Sequence, residues 1–427
     1  MRPHIRRPLA LLVLLLLVAA ACGRDNDTTT DTTGAAGNPN AGNPPAVPGF
    51  DGTTIKLGVV TPTSGAVAII GNPLTAGNKA WFDALNEEKG GIAGKYKVSL
   101  EIVDSKYDPP TGVQAYNQIK GDVVMFAQLL GTPIVKAVLD QMKADNIVAQ
   151  PASLDADWVR EQNLLPLGGP YQIQAINAVS WYTDEGGGEG KKWCSMIQDD
   201  AYGEAGQAGL DFAYDKLGIE PGPTVRFGAT DADFTAQIGQ LQSAGCEVVF
   251  LVSTPSVTGK ALGTAAQTGF APQWIGQSPS WIGALAASPV APYLQSNYMV
   301  VAEGTEYGDS SVPGMAELVR IKDKYAPDQP PDYYFNFGYL EGVAVTQLLE
   351  KAVELGDLSH QGIIDAMNAI DLFSYDGLSG DYKWGSPEDR VPPRESSIFK
   401  VNPAKPYGLQ KVIVNYKSDA AEEFEFE

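Results

Sequence analysis

Ile55-Lys56-Leu57-Gly58-Val59-Val60-Thr61-Pro62-Thr63-Ser64-Gly65-Ala66-Val67-Ala68-Ile69-Ile70-Gly71 carries the first strand, loop and helix start of the chain in one run. A β-rich run from 55 to 61 passes through a proline, hydroxyl residues and a glycine into small and apolar residues that suit a helix start. Further β-rich runs recur at 98–103, 123–130, 147–149, 193–197, 224–227, 248–252, 273–276 and 298–302, with amphipathic stretches between them. Ala80-Trp81-Phe82-Asp83-Ala84-Leu85 continues to Lys89 and stops at Gly90, a glycine end signal. Phe234, Ile238 and Leu241 share one helix face that Gly245 closes. Alternation of this kind predicts βαβ units and an α/β fold of doubly wound parallel sheets covered on both faces. Ligands of such sheets sit beyond the carboxyl ends of the strands.

Three of those carboxyl-end loops share a chemistry. The loop at 61–71 holds Ser64 and Ile70, the third strand runs into Leu130-Gly131-Thr132-Pro133, and the fourth into Gln150-Pro151-Ala152-Ser153. Each offers small or hydroxyl residues at a helix N-terminus, where free N–H groups and the helix dipole attract a carboxylate. One such loop is adequately explained by N-capping. Three on one sheet edge predict a ligand site.

Outward from the body, the first 21 residues read as a secretory signal. Arg2, Arg6 and Arg7 precede an apolar run from Leu9 to Ala21, which is too short to span a membrane and ends in Ala19-Ala20-Ala21-Cys22-Gly23. Small residues before a cysteine resemble a bacterial lipobox, so Cys22 is the expected lipidation site. Residues 22–52 are rich in Asp, Thr, Gly, Asn, Ala and Pro, and are expected to form a disordered tether. Residues 53–427 exceed what one hydrophobic core usually organises, so two lobes are expected.

Composition narrows the function. Without the three signal arginines, 27 basic residues face 51 acidic ones, which argues against nucleic acid or anionic lipid as a partner. Of the two histidines His4 leaves with the signal, and His360 reads as a surface residue at a helix start, so neither a multi-histidine metal site nor a catalytic triad is expected. No Gly-x-Ser-x-Gly elbow or Gly-x4-Gly-Lys-Ser/Thr loop occurs, and Gly186-Gly187-Gly188-Glu189-Gly190 reads as a turn. No cofactor is implied. Cys194 and Cys246 both lie at or near the start of β-rich runs; they are bridged if those strands are neighbours, or are two buried free thiols.

The opening Leu57-Gly58-Val59-Val60-Thr61-Pro62-Thr63-Ser64-Gly65 resembles the periplasmic leucine/isoleucine/valine-binding protein family, the type I solute-binding proteins of ABC importers. Ile102-Val103-Asp104, Gln198-Asp199-Asp200-Ala201-Tyr202-Gly203-Glu204-Ala205-Gly206, Tyr339-Leu340-Glu341-Gly342-Val343-Ala344 and Tyr375-Asp376-Gly377-Leu378-Ser379-Gly380 extend the resemblance, in order, over nearly all of 53–427. It implies two doubly wound parallel-sheet lobes joined by three crossings: lobe one 53–170 and 304–395, lobe two 171–303 and 396–427. It also implies a monomer that encloses a small amino acid or related carboxylate or amide and hands it to ABC permease subunits, without chemistry on the ligand.

Residue by residue, Thr132 and Ser153 match lobe-one positions that hold the ligand carboxylate, and Tyr202 matches a lobe-two aromatic over the pocket. Ile70 takes the place of an aromatic, and Ser253 and Thr254 occupy a lobe-two loop. Where the family places a carboxylate to pair the ligand ammonium, this chain has Gln277 and Ser278. Either Asp199, Asp200 or Glu303 substitutes, or the ligand is an acid or amide flanked by Tyr171, Tyr202 and Trp281. A lipid-anchored sensor would share the same pocket, and an exported enzyme would need a nucleophile, base and orienter that the sequence does not supply.

Overall fold

The computed structural model describes residues 38–427. The expected signal, Cys22 and the tether as far as Gly37 lie outside the described residues. The first layer is a parallel sheet of β1 (Thr54–Thr61), β2 (Lys97–Asp104), β3 (Phe126–Leu130) and β4 (Ala149–Ala152), in the order β2-β1-β3-β4. Between these strands lie α1 (Ala68–Glu88), α2 (Pro109–Ile119) and α3 (Thr132–Asp145). The chain then enters a second layer through α4 (Tyr171–Asp184).

That layer alternates β5 (Trp193–Gln198), α5 (Ala201–Leu217), β6 (Thr224–Phe227), α6 (Thr235–Ser243), β7 (Val248–Val252), α7 (Pro255–Thr268), β8 (Gln273–Gln277), α8 (Ala291–Asn297) and β9 (Tyr298–Ala302). The chain returns to the first layer with α9 (Met315–Tyr325), α10 (Tyr333–Leu355), α11 (His360–Asn368) and the hairpin of β10 (Leu372–Phe373) and β11 (Tyr382–Lys383). It crosses again to β12 (Ser396–Val401), β13 (Leu409–Tyr416) and α12 (Asp419–Glu423). The second sheet has the order β13-β12-β9-β8-β7-β5-β6, parallel from β5 to β9 and antiparallel at β12 and β13. The passages between layers therefore fall between β4 and α4, β9 and α9, and β11 and β12.

The strands form where the β-rich runs stand because both faces of each sheet are covered: β3, β5 and β7 are buried at every position. α10 packs along α1 so closely that a β-carbon at Gly77 or Gly338 would overlap the other helix's backbone. This contact brings the N-terminal end of α10 to the carboxyl edge of the first sheet.

Two expectations are corrected, and one open alternative is decided. The tether does not remain disordered to residue 52: Phe50 is buried with its ring edge-on to Tyr96, Val47 and Phe50 form a bridge, and Gly42 donates its N–H to Val353 O at 2.8 Å. The buried aromatic ring and the carbonyls at the end of α10, with the Phe50–Ile55 bridge and Lys95 Nζ on Gly42 O at 3.0 Å, hold residues 38–52. His360 is half-buried rather than on the surface, with Nε2 at 3.2 Å from Val123 O. Cys194 and Cys246 are bridged, because β5 and β7 are hydrogen-bonded neighbours and the two Cα atoms stand 5.9 Å apart.

Candidate functional site

The carboxyl ends of both sheets face each other across a narrow cavity. Lobe-one walls come from the start of α1 (Ile70, Leu74), the loop after β2 (Tyr107), the β3–α3 turn (Leu130, Gly131, Thr132), the end of β4 (Ala152, Ser153, Leu154) and the start of α10 (Tyr333, Tyr334, Phe337). Lobe two contributes Tyr171, Tyr202, Thr254, Ser278 and Pro279. The Gly131 backbone has φ +106°, and a β-carbon there would stand 2.6 Å from the Tyr107 ring, so glycine lets that ring close over the α3 N-terminus.

The lobes touch. Ser256 Oγ donates to Ala66 O at 3.1 Å, Tyr334 Oη to Pro279 O at 2.7 Å, and Gln198 Nε2 to Tyr107 Oη at 3.4 Å. This is a closed arrangement, with the cavity between the lobes.

The walls are aromatic and aliphatic, with hydroxyls set among them. Tyr171 and Tyr202 pack with ring centroids 5.0 Å apart. Burial pushes the phenols of Tyr171, Tyr202 and Tyr334 well above their ordinary value, so they remain neutral donors. Thr132 Oγ1 and Ser278 Oγ are buried without a hydrogen-bond partner, whereas Ser153 Oγ accepts from Trp158 Nε1 at 3.0 Å. Among the described residues, no Asp, Glu, Lys, Arg or His lines the cavity.

Of the residues singled out in the sequence, Ile70, Thr132, Ser153, Tyr171, Tyr202 and Ser278 come together on this cavity. Ser64 does not: it is exposed and donates to Asp104 Oδ2 at 2.5 Å, fastening the β1–α1 loop to β2. Ser253 lies behind the wall, its hydroxyl 2.8 Å from Thr258 Oγ1. Gln277 also stands behind it, donating to Tyr171 O at 2.8 Å and so holding the start of α4. Trp281 stacks on Tyr298 instead of flanking the cavity.

Neither aspartate turns inward to replace the missing carboxylate. Asp199 is exposed and pairs with Arg226 at 3.1 Å, and Asp200 caps α5 through the N–H groups of Tyr202 and Gly203. Glu303 is buried beside the cavity wall, where it takes hydrogen bonds from Gln174 Nε2 at 2.7 Å and from the Tyr333 hydroxyl. Burial pushes its carboxyl up to about 8, so in the closed form it is a neutral acid at pH 7.

Tyr107, Tyr333, Tyr334 and Phe337 were not anticipated from sequence. The aromatic run Tyr333-Tyr334-Phe335-Asn336-Phe337 was a usable signal, since positions 333, 334 and 337 fall on one side of a helix start.

Two doubly wound lobes closed over a cavity at their strand ends are the architecture of a two-lobe binding protein. Residues 54–406 match the periplasmic binding protein family, and the chain belongs to it. The fold is that of the type I members.

The Leu/Ile/Val-binding protein homolog 3 of Brucella melitensis is 29% identical over 200 residues, covering 46% of this chain and 53% of that protein. The match thus spans about half the length of that curated relative. Among solved structures, a fatty acid ABC transporter substrate-binding protein from Thermomonospora curvata superposes with a TM-score of 0.84 at 24% identity, covering 90% of this chain and 97% of that one. A branched chain amino acid ABC transporter protein from Thermus thermophilus with bound valine gives 0.74 at 15% identity, over 87% and 98%.

Proposed function

We propose that this protein is the extracytoplasmic receptor of an ABC importer and that it captures a small carboxylate or amide whose body is apolar or aromatic and which carries no ammonium. In this reading lobe one is 53–170 with 304–395, lobe two is 171–303 with 396–427, and the three passages between them are the hinge. A lipid on Cys22 holds the receptor at the membrane, and it acts as a monomer on permease subunits.

One observation carries the ligand class: the cavity between the lobes holds two unpartnered hydroxyls, Thr132 and Ser278, and no charged side chain. An acid head at Thr132 meets the N-terminus of α3, where the dipole favours negative charge. An ammonium in the same place would lie among aromatic rings without a counter-ion, at a cost of several kcal/mol. The relatives' names span leucine, valine and fatty acids, and the uncharged lining favours the acid over the amino acid.

The test is calorimetric titration with leucine, valine and their deaminated counterparts, 4-methylpentanoate and 3-methylbutanoate. The deaminated acids are expected to bind at least tenfold more tightly. Tighter binding of the amino acids would overturn the ligand class.

A further inference from the structure

Beside the hinge, the start of α10 meets lobe two along a seam that shuts in two carboxyls, one from each lobe. Glu303 follows β9 at the second passage between the lobes and is 7% exposed, and Asp332 caps α10 and is 3% exposed. Their hydrogen-bond partners are neutral. Glu303 accepts from Gln174 Nε2 at 2.7 Å and from the Tyr333 hydroxyl, and Asp332 accepts from the Tyr334 N–H at 2.7 Å.

The charged groups around the seam are engaged elsewhere or share its sign. Lys405 bonds Glu306 at 2.6 Å and Lys411 bonds Asp309 at 2.9 Å, while Asp381 and Glu395 border the hinge groove together with Glu303. Tyr171, Tyr334 and Tyr407 stand near the two carboxyls as phenols that burial keeps neutral.

Both acids are covered from the opposite lobe. Tyr333 bonds Glu303 from lobe one, and the Gly168 backbone packs so close that a β-carbon there would stand 3.2 Å from Glu303 Cγ. Tyr407 of lobe two lies near enough to Asp332 for that carboxyl to add to the burial that raises its phenol. A carboxylate taken out of water without a counter-ion is strongly disfavoured, so each acid holds a proton while covered and gives it up when the lobes part.

We propose that closure of this receptor is proton-linked: acid draws the lobes together at the Glu303–Asp332 seam, and alkali parts them and lets the ligand go. This rests on the preceding reading of the three passages as a hinge, and on nothing about the ligand's class. Burial raises Glu303 to about 8 and Asp332 to about 7 in the closed form, from ordinary values of 4.5 and 3.8. Between those limits the open form has lost protons that the closed form keeps. The preference for closure is therefore present in full below about pH 4 and fades as pH rises through 7 and 8.

Ser256→Cys with Ala66→Cys puts a thiol on each lip, where Ser256 Oγ meets Ala66 O at 3.1 Å. Treated with diamide in the ligand-free protein, the pair records closing events as a cross-linked peptide joining positions 66 and 256. Rates are taken at pH 6 and pH 8.5 in the cysteine pair alone, and in the pair carrying Glu303→Gln or Asp332→Asn, each the shape of a neutral acid. Dividing the first rate by the second cancels the titration of the thiols. From pH 6 to pH 8.5 this ratio is expected to fall at least about tenfold for Glu303 and severalfold for Asp332. The two variants are independent, so misfolding of one leaves the other to decide. A ratio that stays within twofold overturns the proposal, and no cross-link in any form removes the hinge reading itself.

Discussion

Thr132 and Ser278 line the cavity with hydroxyls that have nothing to bond. A buried unpaired polar group costs the empty protein and rewards whatever ligand completes it. Thr132→Val should therefore leave the melting temperature unchanged or raise it, while calorimetry shows ligand affinity falling ten- to a hundredfold. A parallel fall in both would mean that the hydroxyl is structural.

Glu303 makes the second residue-scale prediction. Its carboxyl is near 4.5 in the unfolded chain and is pushed up to about 8 when buried. Between those values the unfolded chain releases a proton that the folded chain keeps, so stability falls as pH rises through that window. Urea denaturation at pH 5 and pH 8 should show Glu303→Gln losing less stability over the interval than the unaltered protein, and equal losses would contradict the assignment. The sequence revealed Thr132 because it sits at a helix start after a strand, a local pattern, and Ser278 through the family resemblance alone. It hid Tyr333 and Phe337 because their place on the cavity depends on α10 crossing α1 at Gly77 and Gly338, a contact between segments more than 250 residues apart.

At the scale of elements, the parallel strands were legible because burial on both faces leaves continuous apolar runs such as Val248–Val252. Boundaries were less so. β3 begins at Phe126 rather than at 123, and β4 ends at Ala152 rather than at 149. Val123 and Val124, though apolar and buried, are taken up in the approach to β3, where the Gly49 backbone packs against them.

Composition misled at 38–52, since it registers few apolar residues and cannot weigh the single Phe50 against its pocket. A body beginning at residue 53 should consequently be less stable than one beginning at 38, by about 3 kcal/mol or more from the lost phenyl burial. Denaturant midpoints of the two truncations check this.

The bridge between β5 and β7 closes a separation of 52 residues. Replacing Cys194 and Cys246 by alanine should cost about 2–4 kcal/mol. Ligand affinity should survive, since neither cysteine lines the cavity.

For the whole molecule, the direct bonds across the cleft include Ser256 to Ala66, Tyr334 to Pro279, Gln198 to Tyr107 and Tyr333 to Glu303. At roughly 1 kcal/mol net each, such bonds leave the ligand to supply most of the preference for the closed form. The proposed membrane attachment makes a separate prediction: Cys22→Ala should yield a folded, ligand-binding protein that partitions into the aqueous phase of a detergent separation, and equal partitioning with the unaltered protein would remove the lipid.

The docking of residues 38–52 has a mechanical side. Asn38 and Gly42 bond to the carbonyls of Leu355 and Val353 at the last turn of α10, and the other end of that 23-residue helix, roughly 35 Å away, carries Tyr333. A pull on the chain ahead of Asn38 is thus delivered into one rigid half, at its pole remote from the cleft, and none of that tension passes through the three connections about which the halves turn. Under the proposed anchoring at Cys22, a taut attachment therefore does no work on opening or closing.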